Sequence, residues 1–355
     1  MQANKGEWSE FYVFLKLLSE GKIYGADENL NKIENIFYIL LKIIRLENNE
    51  RYEYLYDKVI SIYKGNELLL SKPVSEFKDK SDFLFNEIKN ANGSSFGVPE
   101  IEKFMNNIYC SKLKAPSREK RDITIVVEDT KIGGEPELGF SIKSQIGNPS
   151  TLLNAAQTTN FIYEVNNLDK KYIDIINKID GSSKIKDRLS KISELGGKVS
   201  YVGMQENNFK QNLEIIDSNL PKIIGSYVYK FFTSSYSKIS DLTNEVTKEN
   251  PLKTEIINEN FYINKIKHFL RNVSLGMTPT KDWDTKNEVT GGFIVVKDNG
   301  EILCYHIYNK EDFENYLYKN TKLETASSTR HKFGILYEEN SKIYIKLNLQ
   351  VRFLV

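Results

Sequence analysis

The sequence predicts an α/β protein: a mixed central sheet flanked by helices, with a helical insertion and a C-terminal α+β region. Three observations carry this. Residues 6–20 repeat apolar side chains at helical spacing. Residues 122–145 hold two strand-like runs joined by a Gly/Pro turn. Residues 291–308 show a second hairpin pattern around Asp298-Asn-Gly300.

Composition sets the bounds. The chain has 355 residues, enough to bury one large core or two smaller ones. Hydrophobic content of 40% and charged content of 27% are ordinary for a globular chain. The formal net charge is +1, so a surface for nucleic acid must come from local segregation of charge. Cys110 and Cys304 form no CxxC pattern, which argues against a zinc site or disulfide framework and suits a reducing cytoplasm. Three histidines are too few for a His-rich metal cluster. The longest apolar run, Ile36–Ile44, is interrupted by Lys42 and too short to span a bilayer. The first residues lack the basic-then-apolar form of a signal peptide.

Each element then follows in order. Trp8, Phe11, Tyr12, Leu15 and Leu18 define the apolar face of the first helix, and Gly21 stops it. Glu7 suits the first turn, where the helix dipole favours a carboxylate. Glu10 shares a stripe with Phe14 and Leu17. A carboxylate on an inward stripe needs a partner, and a metal-bound water is one. Residues 30–64 read as helical, with Ile33, Ile36, Phe37, Leu40 and Ile44 on one face. Residues 80–90 and 99–110 are further helices, so 21–110 forms the helical insertion.

Residues 111–121 hold five basic residues and one acid and lead directly into Asp122. Lys120 and Arg121 are therefore candidates for phosphate contact. The β-branched run 123–127 is a buried strand. In the next run Ser141, Lys143 and Gln145 point one way, while Phe140, Ile142 and Ile146 point the other. Asp122 is expected across the sheet from Lys143. Asp129 ends the same strand and, by the period of two, faces the opposite side; it is the rival acid. An acid and a lysine so placed resemble the site of metal-dependent nucleases of the PD-(D/E)XK superfamily, and the resemblance implies phosphodiester hydrolysis. The carboxylate would hold a divalent ion on the phosphate, and the ammonium would steady the attacking water and the developing charge.

Ser150 or Thr151 is expected to cap a short helix through Gln157, and Asn154 and Gln157 on it are candidate DNA contacts. Residues 160–165 read as a strand. Residues 170–196 and 209–247 are mainly helical, and Pro251 marks a boundary. The expected domains are 1–20 with 111–250 as catalytic core and 251–355 as the C-terminal, DNA-recognising region. The latter holds a helix at 310–319, a loop at 325–331 and a strand-like tail at 344–353. Arg330 sits in that loop among Ser327, Ser328 and Thr329, whose small size permits close approach to a groove, with His331 beside it.

An acid opening one strand and a lysine inside the next resembles the PD-(D/E)XK nuclease superfamily, whose core runs α–β–β–β–α–β. Five blocks narrow the resemblance: Lys5-Gly-Glu-Trp-Ser-Glu10, Gly139-Phe-Ser-Ile-Lys-Ser-Gln145, Asn160-Phe-Ile-Tyr-Glu164, Ser328-Thr-Arg-His-Lys-Phe-Gly334 and Lys346-Leu-Asn-Leu-Gln-Val-Arg-Phe353. In that order they resemble the HpaII family of type II restriction endonucleases. The resemblance implies Mg²⁺-dependent cleavage of double-stranded DNA at CCGG, and a paired methyltransferase that protects host DNA as a genetic partner. It implies Asp122 as metal ligand and Lys143 as the motif lysine. Glu10 resembles an N-terminal helix glutamate that some superfamily members use as a further metal or water ligand. Gln145 resembles a glutamine that touches the site from the same strand.

One departure stands out. Ser141 occupies the position where the superfamily has Asp or Glu. Some restriction enzymes with Ser there move the acid to the next helix, but the helix expected at 150–157 contains none. Glu10, the Ile142 carbonyl and waters would then complete an octahedral Mg²⁺ site around Asp122. Guanine in CCGG is best read by a bidentate Arg or Lys, which selects Arg330. A palindrome suggests a homodimer on DNA, although monomers acting in succession also satisfy it. Two other readings compete: a sequence-specific DNA-binding protein with decayed catalysis, Ser141 being the scar, and a structure-specific nuclease of the same fold. Plasmid DNA with Mg²⁺ separates the first. Duplexes with and without CCGG separate the second.

Overall fold

The computed structural model describes residues 1–113, 121–128, 134–255 and 258–354. The strands are β1 Lys22–Ala26, β2 Lys32–Glu47, β3 Glu50–Tyr56, β4 Val59–Lys64, β5 Glu67–Pro73, β6 Ile123–Glu128, β7 Glu137–Ser144 and β8 Thr151–Leu153. They continue as β9 Asn160–Asn166, β10 Lys198–Met204, β11 Gly292–Val296, β12 Ile302–His306, β13 Thr321–Leu323, β14 Leu336–Glu339, β15 Lys342–Asn348 and β16 Val351–Phe353. The helices are α1 Lys5–Glu20, α2 Val74–Asn90, α3 Pro99–Asn107, α4 Ile173–Asn177, α5 Lys184–Glu194 and α6 Asn207–Ile216. After them come α7 Leu220–Thr233, α8 Ile239–Glu249, α9 Phe261–Leu275, α10 Lys310–Lys319 and α11 Ser328–His331. The chain is thus mixed α/β with a central sheet and flanking helices. It divides into two compact units: residues 1–150 with 287–316, and 151–286 with 317–354.

The first unit is built around one sheet ordered β1-β12-β11-β7-β6-β2-β3-β4-β5. Because β1 pairs with β2 as well as β12, six of these strands close into a ring, and β3, β4 and β5 extend from it. Helix α1 forms as its spacing predicts. Asn4 caps its start, and Gly21 ends it in the left-handed conformation at φ 66°. Its apolar face shares one buried core with Ile123, Ile125, Val127, Phe140, Ile142, Ile294 and Val296. Each such buried side chain contributes about 1.5–3 kcal/mol.

The helical insertion expected at 21–110 is corrected. Residues 30–64 are strands, and helices occupy only Val74–Asn90 and Pro99–Asn107. The reason is a register shift between Leu40 and Lys42 where β2 pairs with β6. Buried Tyr38, Leu40 and Ile43 are spaced by two and then three residues, which mimics a helical stripe.

The second unit holds a four-stranded sheet, β10-β9-β15-β14, and a three-stranded one, β13-β16-β8, with helices α4 to α9 and α11. Two more expectations are corrected here. Thr151–Leu153 is a strand paired with β16, so the helix expected at 150–157 is absent; only a 3₁₀ turn at Gln157–Thr159 remains. The strand at 160–165 exists but lies in the four-stranded sheet, not beside β7. Residues 151–250, expected in the catalytic core, belong to the second unit, and 287–316 belong to the first. The strand parallel to β7 is β11, with Ile294 opposite Ile142.

Candidate active site

The site is set by the register of β6 on β7. Ile123 faces Phe140 and Thr124 faces Gly139, so Asp122 falls opposite Ser141. The Asp122 amide donates to the Phe140 carbonyl at 2.7 Å. The ladder then stops, and the Asp122 side chain takes the next rung. Its Oδ2 accepts from the Ile142 amide at 2.6 Å and from the Ser141 hydroxyl at 3.0 Å. A hydrogen bond to a carboxylate is worth about 1.5–3 kcal/mol, so the carboxylate is held firmly. Among the described residues Oδ1 takes no hydrogen bond and is left to a ligand.

Ser141 is 4% exposed and supports the acid rather than replacing it. Ile142 directs its amide to the Asp122 edge of β7. In a strand the carbonyl of a residue faces the same edge as its amide. One side-chain oxygen and one carbonyl therefore converge there, and hard oxygen donors suit Mg²⁺. Among the described residues, no three His, Cys, Asp or Glu side chains gather at metal-binding distance.

Lys143 is the next residue on the face of Ser141. Its Nζ lies 5.3 Å from the centre of the Phe293 ring, on β11. Among the described residues its ammonium has no carboxylate partner, so its charge is available. On that face Gly139 makes room for Arg121. A Cβ at Gly139 would come within 2.8 Å of the Arg121 Cδ. Arg121, Asp122 and Lys143 thus line one face of the β6–β7 hairpin in sequence of charge plus, minus, plus.

The remaining candidates separate. The Ser9 hydroxyl bonds the Ser144 hydroxyl at 2.9 Å, so α1 docks on the face of β7 opposite Lys143. Glu10, half-buried in α1, is brought to that side of the strand. Glu7 is occupied by a capping box: its Oε2 accepts from the Asn4 amide and its own amide donates to the Asn4 side chain, both at 3.0 Å. Gln145 lies just past β7; its amide bonds the Val296 carbonyl at 2.9 Å. Asp129 and Lys120 lie outside the described residues.

In the second unit Asn154 and Gln157 are exposed, beside β8 and at the head of the 3₁₀ turn. Arg330 is exposed on α11, a single helical turn where a loop was expected, capped by Ser327. His331 is half-buried, and burial first, then the Arg330 charge, lowers its pKa below the ordinary imidazole value. Beneath α11 is a buried amide network that sequence reading missed. The Asn160 Nδ2 donates to the His331 carbonyl at 2.9 Å and to Gln205 at 3.0 Å. The Asn348 Nδ2 donates to Asn160 Oδ1 at 2.7 Å. Asn160 is 0% and Asn348 3% exposed. Amides inside otherwise apolar strands were the available signal.

The family model described as HpaII restriction endonuclease matches residues 4–353. The type II restriction enzyme HpaII of Haemophilus parainfluenzae is 43% identical over 357 residues, covering 99% of this chain and 98% of that one. No solved structure matches.

Proposed function

The chain belongs to the HpaII restriction endonuclease family and is a type II site-specific deoxyribonuclease; from that premise we propose that it cuts double-stranded DNA at CCGG with Mg²⁺ at Asp122. The observation that carries the site assignment is the Asp122 carboxylate, fixed by Ser141 and Ile142 with one oxygen open, one same-face position from Lys143. Asp122 Oδ1 and the Ile142 carbonyl would hold the ion; Glu10 lies on the α1 side of β7 and would have to reach past the strand to join them. When bound, it would supply Lewis-acid polarisation of the scissile phosphate. Ser141 keeps the carboxylate oriented. Lys143 places an ammonium where charge develops on the phosphate, and its apolar neighbour Phe293 limits its hydration. Gln145 faces the same site.

The topology supports a PD-(D/E)XK core: α1, then antiparallel β2, β6 and β7, then β11 parallel to β7. In this reading the second unit, made of residues 151–286 between β7 and β11 and of 317–354 after β12, recognises DNA. Arg330 reads guanine, with His331 beside it. Arg121, Lys120, Asn154 and Gln157 contact the duplex. A homodimer matches the palindrome. A methyltransferase modifying CCGG protects the host. No helix of the described residues is long and apolar enough to cross a membrane. Cys110 and Cys304 are buried free thiols, as a cytoplasmic protein retains them.

The deciding experiment digests plasmid DNA with Mg²⁺ and sequences the fragment ends. Cuts confined to CCGG are expected, and cuts at another sequence would overturn the specificity. For Arg330→Ala, binding at CCGG should weaken by about 1–3 kcal/mol and at scrambled duplex much less. An equal loss on both would remove its base-reading role.

A further inference from the structure

The second unit carries a feature that the site residues above do not use. Two concavities, of about 290 and 350 Å³, open on either side of α11. They share Lys184, Ser328 and Thr329. The first adds Lys186 and the hydroxyl residues Ser182, Ser183, Thr325 and Ser327. The second adds Lys332, Lys346 and the Tyr337 ring. Among the described residues, no Asp or Glu lines either one.

The frame beneath them is rigid. Arg188 is 5% exposed and donates to the carbonyls of Asn177, Ile179 and Gly334. Four of its five N–H donors go to main chain, so it braces the groove rather than binding in it. Gly334 has φ 79°, and a Cβ there would come within 2.7 Å of Ile185. That close approach pins the segment after α11 on α5. The Gly334 amide bonds the Lys346 carbonyl at 2.8 Å.

The lysines differ in their ties. Lys184 pairs with Asp180 at 3.1 Å, but Asp180 is 80% exposed, so the pair is weak and readily exchanged. Lys186 Nζ bonds the Ser234 carbonyl at 2.9 Å. Lys346 Nζ lies 5.4 Å from the Tyr337 ring centre. Ammonium and small hydroxyl donors, without a carboxylate, match a chain of phosphates.

We propose that these paired concavities form a phosphate groove that seats the backbone of duplex DNA on both sides of α11, with Lys184, Lys332, Lys346, Ser328 and Thr329 touching the phosphates. It rests on the restriction-enzyme reading and adds to it the element that sets the register of Arg330. Backbone contacts fix orientation and carry no sequence information.

The test measures binding of the full-length chain, without Mg²⁺, to CCGG and scrambled duplexes across a salt series. The variant is Lys184→Gln with Lys332→Gln and Lys346→Gln, checked for an unchanged melting temperature. Expected is a drop in affinity of at least roughly 10-fold at low salt, equal on both duplexes. The slope of log K against log salt should become shallower by roughly 2–3, about 0.9 for each phosphate no longer neutralised. Lys248→Gln, removing a charge already paired with Glu245 on α8, should leave the slope unchanged. An unaltered slope in the triple variant overturns the proposal, as does a weakening confined to CCGG. If the parent chain fails to prefer CCGG, the specificity falls, but the slope still decides the groove. Should the triple variant melt early, Ser328→Ala with Thr329→Ala gives the second reading. Unchanged affinity for both duplexes in that pair, with unchanged single-variant slopes at Lys184 and Lys346, overturns the groove.

Discussion

The β6–β7 hairpin of the first unit and the α11 platform of the second use polar groups in opposite ways. Among the described residues of the hairpin, one oxygen of Asp122 is tied down and the other left open, while the Lys143 ammonium lies over an aromatic ring and pairs with no carboxylate. At the platform, Asn160, Asn348 and Arg188 are buried and spend their donors inside the protein. The difference teaches what each task needs. Chemistry needs groups with unsatisfied valence held at fixed positions. The proposed recognition role would need a frame that spends its polarity internally, with Arg330 exposed above it.

Removing the hairpin's charges should break the comparison most strongly. Lys143→Ala is expected to lower single-turnover cleavage by roughly 10²–10³ or more, with DNA binding retained. Asp122→Ala should match it, lose Mg²⁺ affinity, and also cost about 1–3 kcal/mol of stability because it strands the Ile142 amide and Ser141 hydroxyl. Full activity in Asp122→Ala with a dead Asp129→Ala would move the metal site to the rival acid.

Asn160→Ala should act on the other region alone. It leaves the His331 carbonyl without its donor and removes one of three acceptors from the Asn348 amide, at about 1–3 kcal/mol of stability. Discrimination between CCGG and scrambled duplex should fall, while the cleavage rate at saturating DNA stays near that of the parent. A rate loss as large as that of Lys143→Ala would show that the two regions are not separable.

Smaller changes sharpen the hairpin. Ser141→Ala should raise the Mg²⁺ requirement and cut the rate by about 10-fold, as loss of a group orienting a metal ligand does. Glu10→Gln should act in the same range if Glu10 completes the metal site. An unchanged metal titration in Glu10→Gln would remove it from the ligand set.

The smallest effect is at His331. Its folded pKa lies below the ordinary value of 6.5, through burial first and Arg330 second. The neutral ring is therefore the folded form, and its contribution to stability is full above pH 6.5 and lost as pH falls through the folded value. Arg330→Ala should raise the NMR titration midpoint, because it removes the lesser cause. A midpoint that stays put would mean that the Arg330 charge does not reach the ring.

Local features were legible in the residues themselves. Asn4, the 6–20 stripe and Gly21 define α1, because caps and spacing act within a few positions. The alternation of Phe140, Ile142 and Ile146 against Ser141 and Lys143 defines the site's face before any partner is known. The five family blocks identify the enzyme class. Pairing between distant segments was not legible. The bulge in β2 disguised a strand as a helix, and β8 resembled a helix start because its partner, β16, lies some 200 residues later in the chain. The parallel partner of β7 proved to be β11, and the strand at 160 joined another sheet. Ser141 looked like a missing acid until register put its hydroxyl on Asp122. Periodicity records which face a residue turns inward, but hydrogen bonds between segments far apart in sequence decide what it meets there, and only the tertiary structure forms those bonds.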